Sequence, residues 1–197
     1  MLKSPTAHIN DVCINGCIPL LFSTIKPIDT HRFAVFSMHD LTRIQYNASD
    51  EVLWKAMWWI CFWKKDIWII PIQRPSPVGH WVLCIAYLSQ KELLLFDSLG
   101  EQKPWRADVQ DVMKLITRLI SLAREHHSEG DVDVCSWVAR PLTIIPLQSN
   151  GYDCGIWVLA VVAATLRGFH TTGMQEEDMT SFRHYLYTQI LSISLLA

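Results

Sequence analysis

The chain has 197 residues, half of them apolar, with 9 tryptophans and a formal net charge of −2. This length suits one domain, 1–197, with a sizeable core, and the near-neutral charge lacks the basic footprint of a nucleic-acid binder. Met1 to Asn10 has no charged start and apolar run before a cleavage site, and Ile156 to Leu166 is shorter than the ~20 residues of a membrane span, so a soluble intracellular protein with no membrane partner is expected.

In chain order, Asp11 to Phe22 reads as a short helix ending near Pro19. Cys13 and Cys17 share one apolar helix face at i, i+4, and with His8 they lack the further ligands that a zinc site needs. The six cysteines are spread along the chain instead of clustering as a disulfide framework. Phe33 to Ser37 is a strand candidate. Ser49 caps a helix with Asp50 and Glu51 in its first turn, extending to about Lys65. Ile67 to Ile72 reads as a buried strand, and Gln73 to Gly79, with two prolines and a glycine, as a loop. His80 to Leu88 and Leu93 to Phe96 form a hairpin. Asp108 to His127 has helical periodicity, which Glu129-Gly130-Asp131 breaks. A strand falls within Val132 to Leu147. Cys154 to Leu166, apolar on every side, is a fully buried helix with Gly168 closing it, and Thr180 to Leu195 is a last helix. This order of elements predicts an α+β fold.

The chemistry concentrates at Gln148-Ser149-Asn150-Gly151-Tyr152-Asp153-Cys154-Gly155. A polar turn delivers a cysteine to the first turn of a buried helix, where partial positive charge and unpaired N–H groups gather. Such a place favours the thiolate and can hold an oxyanion. Gly155 would leave room above the sulfur, and Gln148 could donate a second hydrogen bond from its amide. A thiolate catalyst also needs a base and a group to orient it. His80 begins an apolar strand and Asp97 ends the next one, and their numbers sum to 177. In an antiparallel ladder a register of 177 sets them directly opposite, and 179 makes them diagonal on the same face. The spacing permits a His–Asp pair without requiring one.

His80-Trp81, Phe96-Asp97-Ser98-Leu99 and Gln148-x-Asn150-x-x-Asp153-Cys154-Gly155, in this order, resemble the three signatures of the Ulp/SENP family of SUMO-deconjugating cysteine proteases. Ile9-Asn10-Asp11 before a helix resembles the family's W-L-N-D opening, with His8 in place of tryptophan. Ile67 to Gln73 resembles its strand-Pro-polar segment. The likeness runs from about residue 8 to 167. It implies a papain-like α+β fold with the catalytic order His-Asp-Cys. Papain itself places cysteine first and histidine ~130 residues later, and only 43 residues follow Cys154.

By resemblance, Cys154 is the nucleophile, His80 the general base and acid, Asp97 the orienting acid and Gln148 the oxyanion donor. Trp81 would roof the narrow tunnel for a modifier's Gly-Gly tail, Gly155 would bind substrate through the room it leaves above the sulfur, and Asp11 would meet a basic residue on the modifier. The implied activity is cleavage after Gly-Gly of SUMO precursors and lysine conjugates, with no metal or organic cofactor and a nuclear or cytoplasmic location. Another modifier such as NEDD8 is the alternative. An acetyltransferase using a similar His-acid-Cys set, and a binder that has lost activity, are more distant readings. The first lacks support from the Trp beside His80, the second from the presence of all four chemical residues.

Overall fold

Side-chain alternation along one central strand sorts the protein into two cores. A computed structural model describes residues 1–27, 29–74, 79–101, 105–128, 133 and 135–193. Its strands are Phe33–Val35 (β1), Ile67–Arg74 (β2), His80–Tyr87 (β3), Glu92–Phe96 (β4) and Val138–Pro141 (β5), side by side in that order. The neighbours β2, β3 and β4 run antiparallel, while β1 and β5 add parallel edges. Trp81, Leu83 and Ile85 of β3 enter one core, and Val82, Cys84 and Ala86 enter the other. Both faces are buried, so β2 and β3 read as continuous apolar runs without polar alternation.

The first core is closed by Asp11–Ile25 (α1), Cys154–Leu166 (α5) and Asp178–Leu191 (α6). The second is closed by Met38–Gln45 (α2), Asp50–Met57 (α3) and Trp105–His127 (α4). Every residue of α5 is buried, since the helix lies between the sheet, α1 and α6. The fold is α+β, as its sequence suggests. Among the described residues no helix is long and apolar enough to cross a membrane.

Register brings the polar strand ends together. The β3–β4 pairs, from Leu83 with Phe96 to Tyr87 with Glu92, all sum to 179. His80 and Asp97 are therefore diagonal and on one face, the second of the two registers that their spacing allows. Across β2–β3, Arg74 stands directly opposite His80.

Several boundaries differ from expectation. α1 continues through Pro19 to Ile25, because Pro19 faces solvent while Ile14, Cys17, Ile18 and Leu21 bury the opposite side. This packing outweighs the hydrogen bond that proline forgoes. α3 stops at Met57 instead of Lys65. Two short 3-10 turns follow, joined at Cys61 in the left-handed region (φ 52°). The reversal buries Phe62 against Trp54 and Trp68. Gln73 and Arg74 belong to β2, not to a loop, and the rest of that loop before Gly79 lies outside the described residues, as does the break at Glu129-Gly130-Asp131. The strand sought within 132–147 is only β5, and the last helix runs from Asp178 to Leu191.

Candidate active site

Cys154 opens α5 at 3 % exposure. The N–H groups of Cys154, Gly155 and Ile156 precede the first intrahelical bond, from Trp157 N to Asp153 O (2.9 Å). The carboxylate of Asp153 does not cap them. It accepts from Arg183 Nη2 (2.7 Å) and Asn150 Nδ2 (2.9 Å) instead. The helix end thus keeps donors and partial positive charge directed at the sulfur's surroundings.

His80 comes to this point from β3. Its Nε2 is 2.8 Å from Asp97 Oδ1, and the ring is close enough to the Cys154 thiol to interact with it electrostatically. Burial disfavours the charged ring. The hydrogen bond to Asp97 and the interaction with Cys154, with the charges of both, outweigh it and push the His80 pKa up to about 9. Asp97 is fully buried, which favours its neutral form, yet bonds from His80, from Leu99 N (2.9 Å) and from Arg74 hold its carboxyl below the usual range. An imidazolium beside a thiol, with a carboxylate behind it, is a constellation suited to forming a thiolate. Burial pushes the Cys17 thiol up to about 12 and raises that of Cys84 as well, leaving both as inert packing groups.

Gln148 is 5 % exposed. Its Oε1 accepts from Ser98 Oγ (2.8 Å), and one hydrogen of Nε2 goes to Asn150 O (2.6 Å). The second amide hydrogen remains for another acceptor. The loop that carries Gln148 is pinned by Glu176. Its carboxylate accepts from Ser149 N and Oγ (both 2.8 Å) and from Asn150 Nδ2 (2.9 Å) and N (3.3 Å).

The start of the chain folds over the first turn of α5. Arg183 Nη1 donates to Ala7 O (2.8 Å), and Trp81 Nε1 donates to Ile9 O (3.0 Å). A Cβ on Gly155 would lie 2.4 Å from Ile9 Cγ1 and 3.1 Å from Trp81 Cδ1. The missing side chain therefore admits Ile9, which corrects the expectation of open room there. Trp81 is only 3 % exposed, whereas His8 and Asp11 lie toward solvent, with Asp11 Oδ2 3.7 Å from His39 Nε2.

The structure thus brings His80, Asp97, Cys154 and Gln148 to one end of the sheet, with Trp81 and Gly155 beside them, whereas Asp11 at the start of α1 faces His39 instead. Sequence reasoning missed Arg74, Asp108, Glu176 and Arg183. Arg74 was legible in principle, since a cation at the end of an apolar strand, opposite His80, obeys the same pairing logic. Among the described residues, no group of three or more His, Cys, Asp or Glu side chains is arranged to hold a metal ion.

Residues 8–196 match the Ulp1 protease family, C-terminal catalytic domain. The chain is 26% identical over 198 residues to the "Ubiquitin-like-specific protease ESD4" of Arabidopsis thaliana, a match covering 96% of this chain and 38% of that protein. It is 28% identical over 120 residues to "NEDD8-specific protease 1" of the same plant, covering 58% of this chain and 47% of that protein. The chain thus spans less than half the length of either relative. Its fold is similar to a solved structure of the "SUMO protease Ulp1 with the catalytic cysteine oxidized to a sulfenic acid", with a TM-score of 0.68 and 21% identity over 95% of this chain and 79% of that one.

Proposed function

Because the chain belongs to the Ulp1 protease family and is a cysteine peptidase of that kind, we propose that it cleaves after the C-terminal Gly-Gly of a ubiquitin-like modifier, SUMO first and NEDD8 second, from precursors and lysine conjugates. One observation carries this reading: His80, bonded through Nε2 to the buried Asp97 carboxylate, interacts with the Cys154 thiol at the uncapped head of α5.

The chemistry follows from these positions. The Cys154 thiolate attacks the carbonyl carbon of the terminal glycine. The N–H of Cys154 and the second amide hydrogen of Gln148 receive the oxyanion. His80 gives its proton to the departing lysine amine as the C–N bond breaks, leaving a thioester. Water then loses a proton to His80 and attacks that thioester. Breaking the C–S bond returns the thiolate and the modifier's carboxylate. The roles of Asp97 as orienting acid, Trp81 as tail contact and Asp11 as modifier contact belong to the same proposal.

The test is labelling by SUMO, NEDD8 and ubiquitin carrying a C-terminal vinyl sulfone. A thioether at Cys154 with SUMO or NEDD8 is expected. No adduct with any of the three would overturn the reading, and an adduct with NEDD8 alone would reassign the modifier.

Gln148 separates oxyanion support from thiol reactivity. Gln148→Ala should lower kcat by roughly a hundredfold or more, since one oxyanion donor contributes about 3 kcal/mol. Alkylation of Cys154 by iodoacetamide develops no oxyanion and should keep its rate. Equal losses in both rates would mean that Gln148, through Ser98 and Asn150, supports the loop and not the transition state.

A further inference from the structure

Behind His80 and Asp97 lies a charged pair that the acyl transfer does not use. Arg74, opposite His80 in the β2–β3 ladder, is nine-tenths buried. Its Nη1 donates to Asp97 Oδ2, while Nε and Nη2 donate to Asp108 Oδ2 on α4 at 2.9 and 2.6 Å. Asp108 is itself 7 % exposed. Four groups of alternating sign, His80, Asp97, Arg74 and Asp108, run inward from the sulfur. Taking such charges out of water is costly, and well-packed apolar side chains often serve stability as well or better. Their presence here calls for a reason beyond packing.

We propose that Arg74 and Asp108 are positioning residues that fix the Asp97 carboxylate and set how firmly it holds the proton on His80. The argument rests on the reading of His80 as the proton carrier. Arg74 anchors Oδ2, so Asp97 cannot swing and Oδ1 is left to His80 and Leu99 N. The guanidinium also draws on the negative charge of Asp97, which on its own would loosen the hold on the imidazolium. Asp108 offsets the guanidinium and restores that hold. The groups that face the ring are the Cys154 thiol from α5 and the Asp97 carboxylate from the end of β4, with Arg74 from β2 behind Asp97. Asp108 and Asp111 of α4 form the outer layer.

This arrangement gives a sign that simple loosening would not give. Asp108→Asn removes a negative charge and leaves Arg74 directed at Asp97, so His80 should lose its proton more readily. The double variant Arg74→Met with Asp108→Leu removes both charges. The nearer one is positive, so His80 should hold its proton more firmly.

The experiment is an NMR titration of the His80 ring in the full chain, paired with the pH profile of kcat/KM on a Gly-Gly substrate. In Asp108→Asn the His80 titration should move down by about one pH unit, the size expected for one charge at an effective dielectric near 20. The alkaline limb of kcat/KM should move with it. In the double variant the titration should move up. A folded Asp108→Asn whose His80 titrates as in the wild type overturns the proposal. If that variant does not fold, an unmoved or lowered titration in the double variant overturns it equally. The ring is read directly, so lack of turnover on every Gly-Gly substrate counts against the protease reading and is distinct from failure of this one.

Discussion

Cys154→Ala is expected to abolish turnover of Gly-Gly-linked substrates while leaving the folded protein intact. The thiol is the nucleophile set at the uncapped head of α5, within electrostatic reach of the His80 ring. Without sulfur no thioester forms, and the acyl transfer has no first step. The structural cost should be small, because one atom is lost from a side chain whose helix remains buried along its whole length. Thermal unfolding should therefore shift by only a few degrees. Cys154→Ser should be equally silent, since a hydroxyl is a far weaker acid than a thiol and His80 is matched to the latter. The other thiols cannot substitute: Cys17 and Cys84 lie in the two cores with raised pKa values, and Cys13, Cys61 and Cys135 are elsewhere on the chain. Turnover is measured on a modifier-lysine conjugate, with circular dichroism to check the fold. Persistent cleavage by Cys154→Ala would remove Cys154 from the mechanism.

The parts of this site that were legible in the sequence are those governed by period and by local composition. Spacing along the hairpin allowed His80 and Asp97 to share a face in any odd register, and the observed sum of 179 is such a register. The buried helix was legible from Cys154 to Leu166 because it has no polar face to orient. What escaped depends on contacts between distant segments. Asp108 reads as an ordinary acid in the first turn of an amphipathic helix, and only the packing of α4 on the sheet brings it to Arg74. Gly155 looks like clearance for a substrate, and only the path of residues 7–9 shows that Ile9 occupies that space. The end of α3 is of the same kind. Met57 to Lys65 is rich in aromatic residues, and the turn at Cys61 follows from the burial of Phe62 beside Trp68, which propensity does not encode.

Asp97→Asn should reduce kcat/KM by about four orders of magnitude, as loss of the orienting acid does in serine triads, and the structure supplies its own reason. Asp97 presents two acceptors to donors: Oδ1 to His80 Nε2 and Leu99 N, Oδ2 to Arg74. An amide has one acceptor and one donor end. If its NH2 turns toward Arg74, two buried donors face each other, a desolvated arrangement that costs about 1–3 kcal/mol or more. If it turns toward His80, Nε2 must accept. The ring proton then sits on the nitrogen facing Cys154, and the ring can no longer take a proton from the thiol. Either way the imidazolium loses the carboxylate that stabilises it. The consequence for pH has a definite sign. In the wild type the His80 pKa is raised to about 9, against an ordinary value of about 6.5. Its contribution to stability is thus complete below about 6.5 and is lost as pH rises through about 9. Asp97→Asn should remove most of that contribution, so the stability of the variant should fall less between those pH values than that of the wild type. Denaturant unfolding at a series of pH values, with kcat/KM at each, gives both readings. A variant that kept the wild-type slope of stability between pH 6.5 and 9 would mean that Asp97 is not what holds the His80 proton.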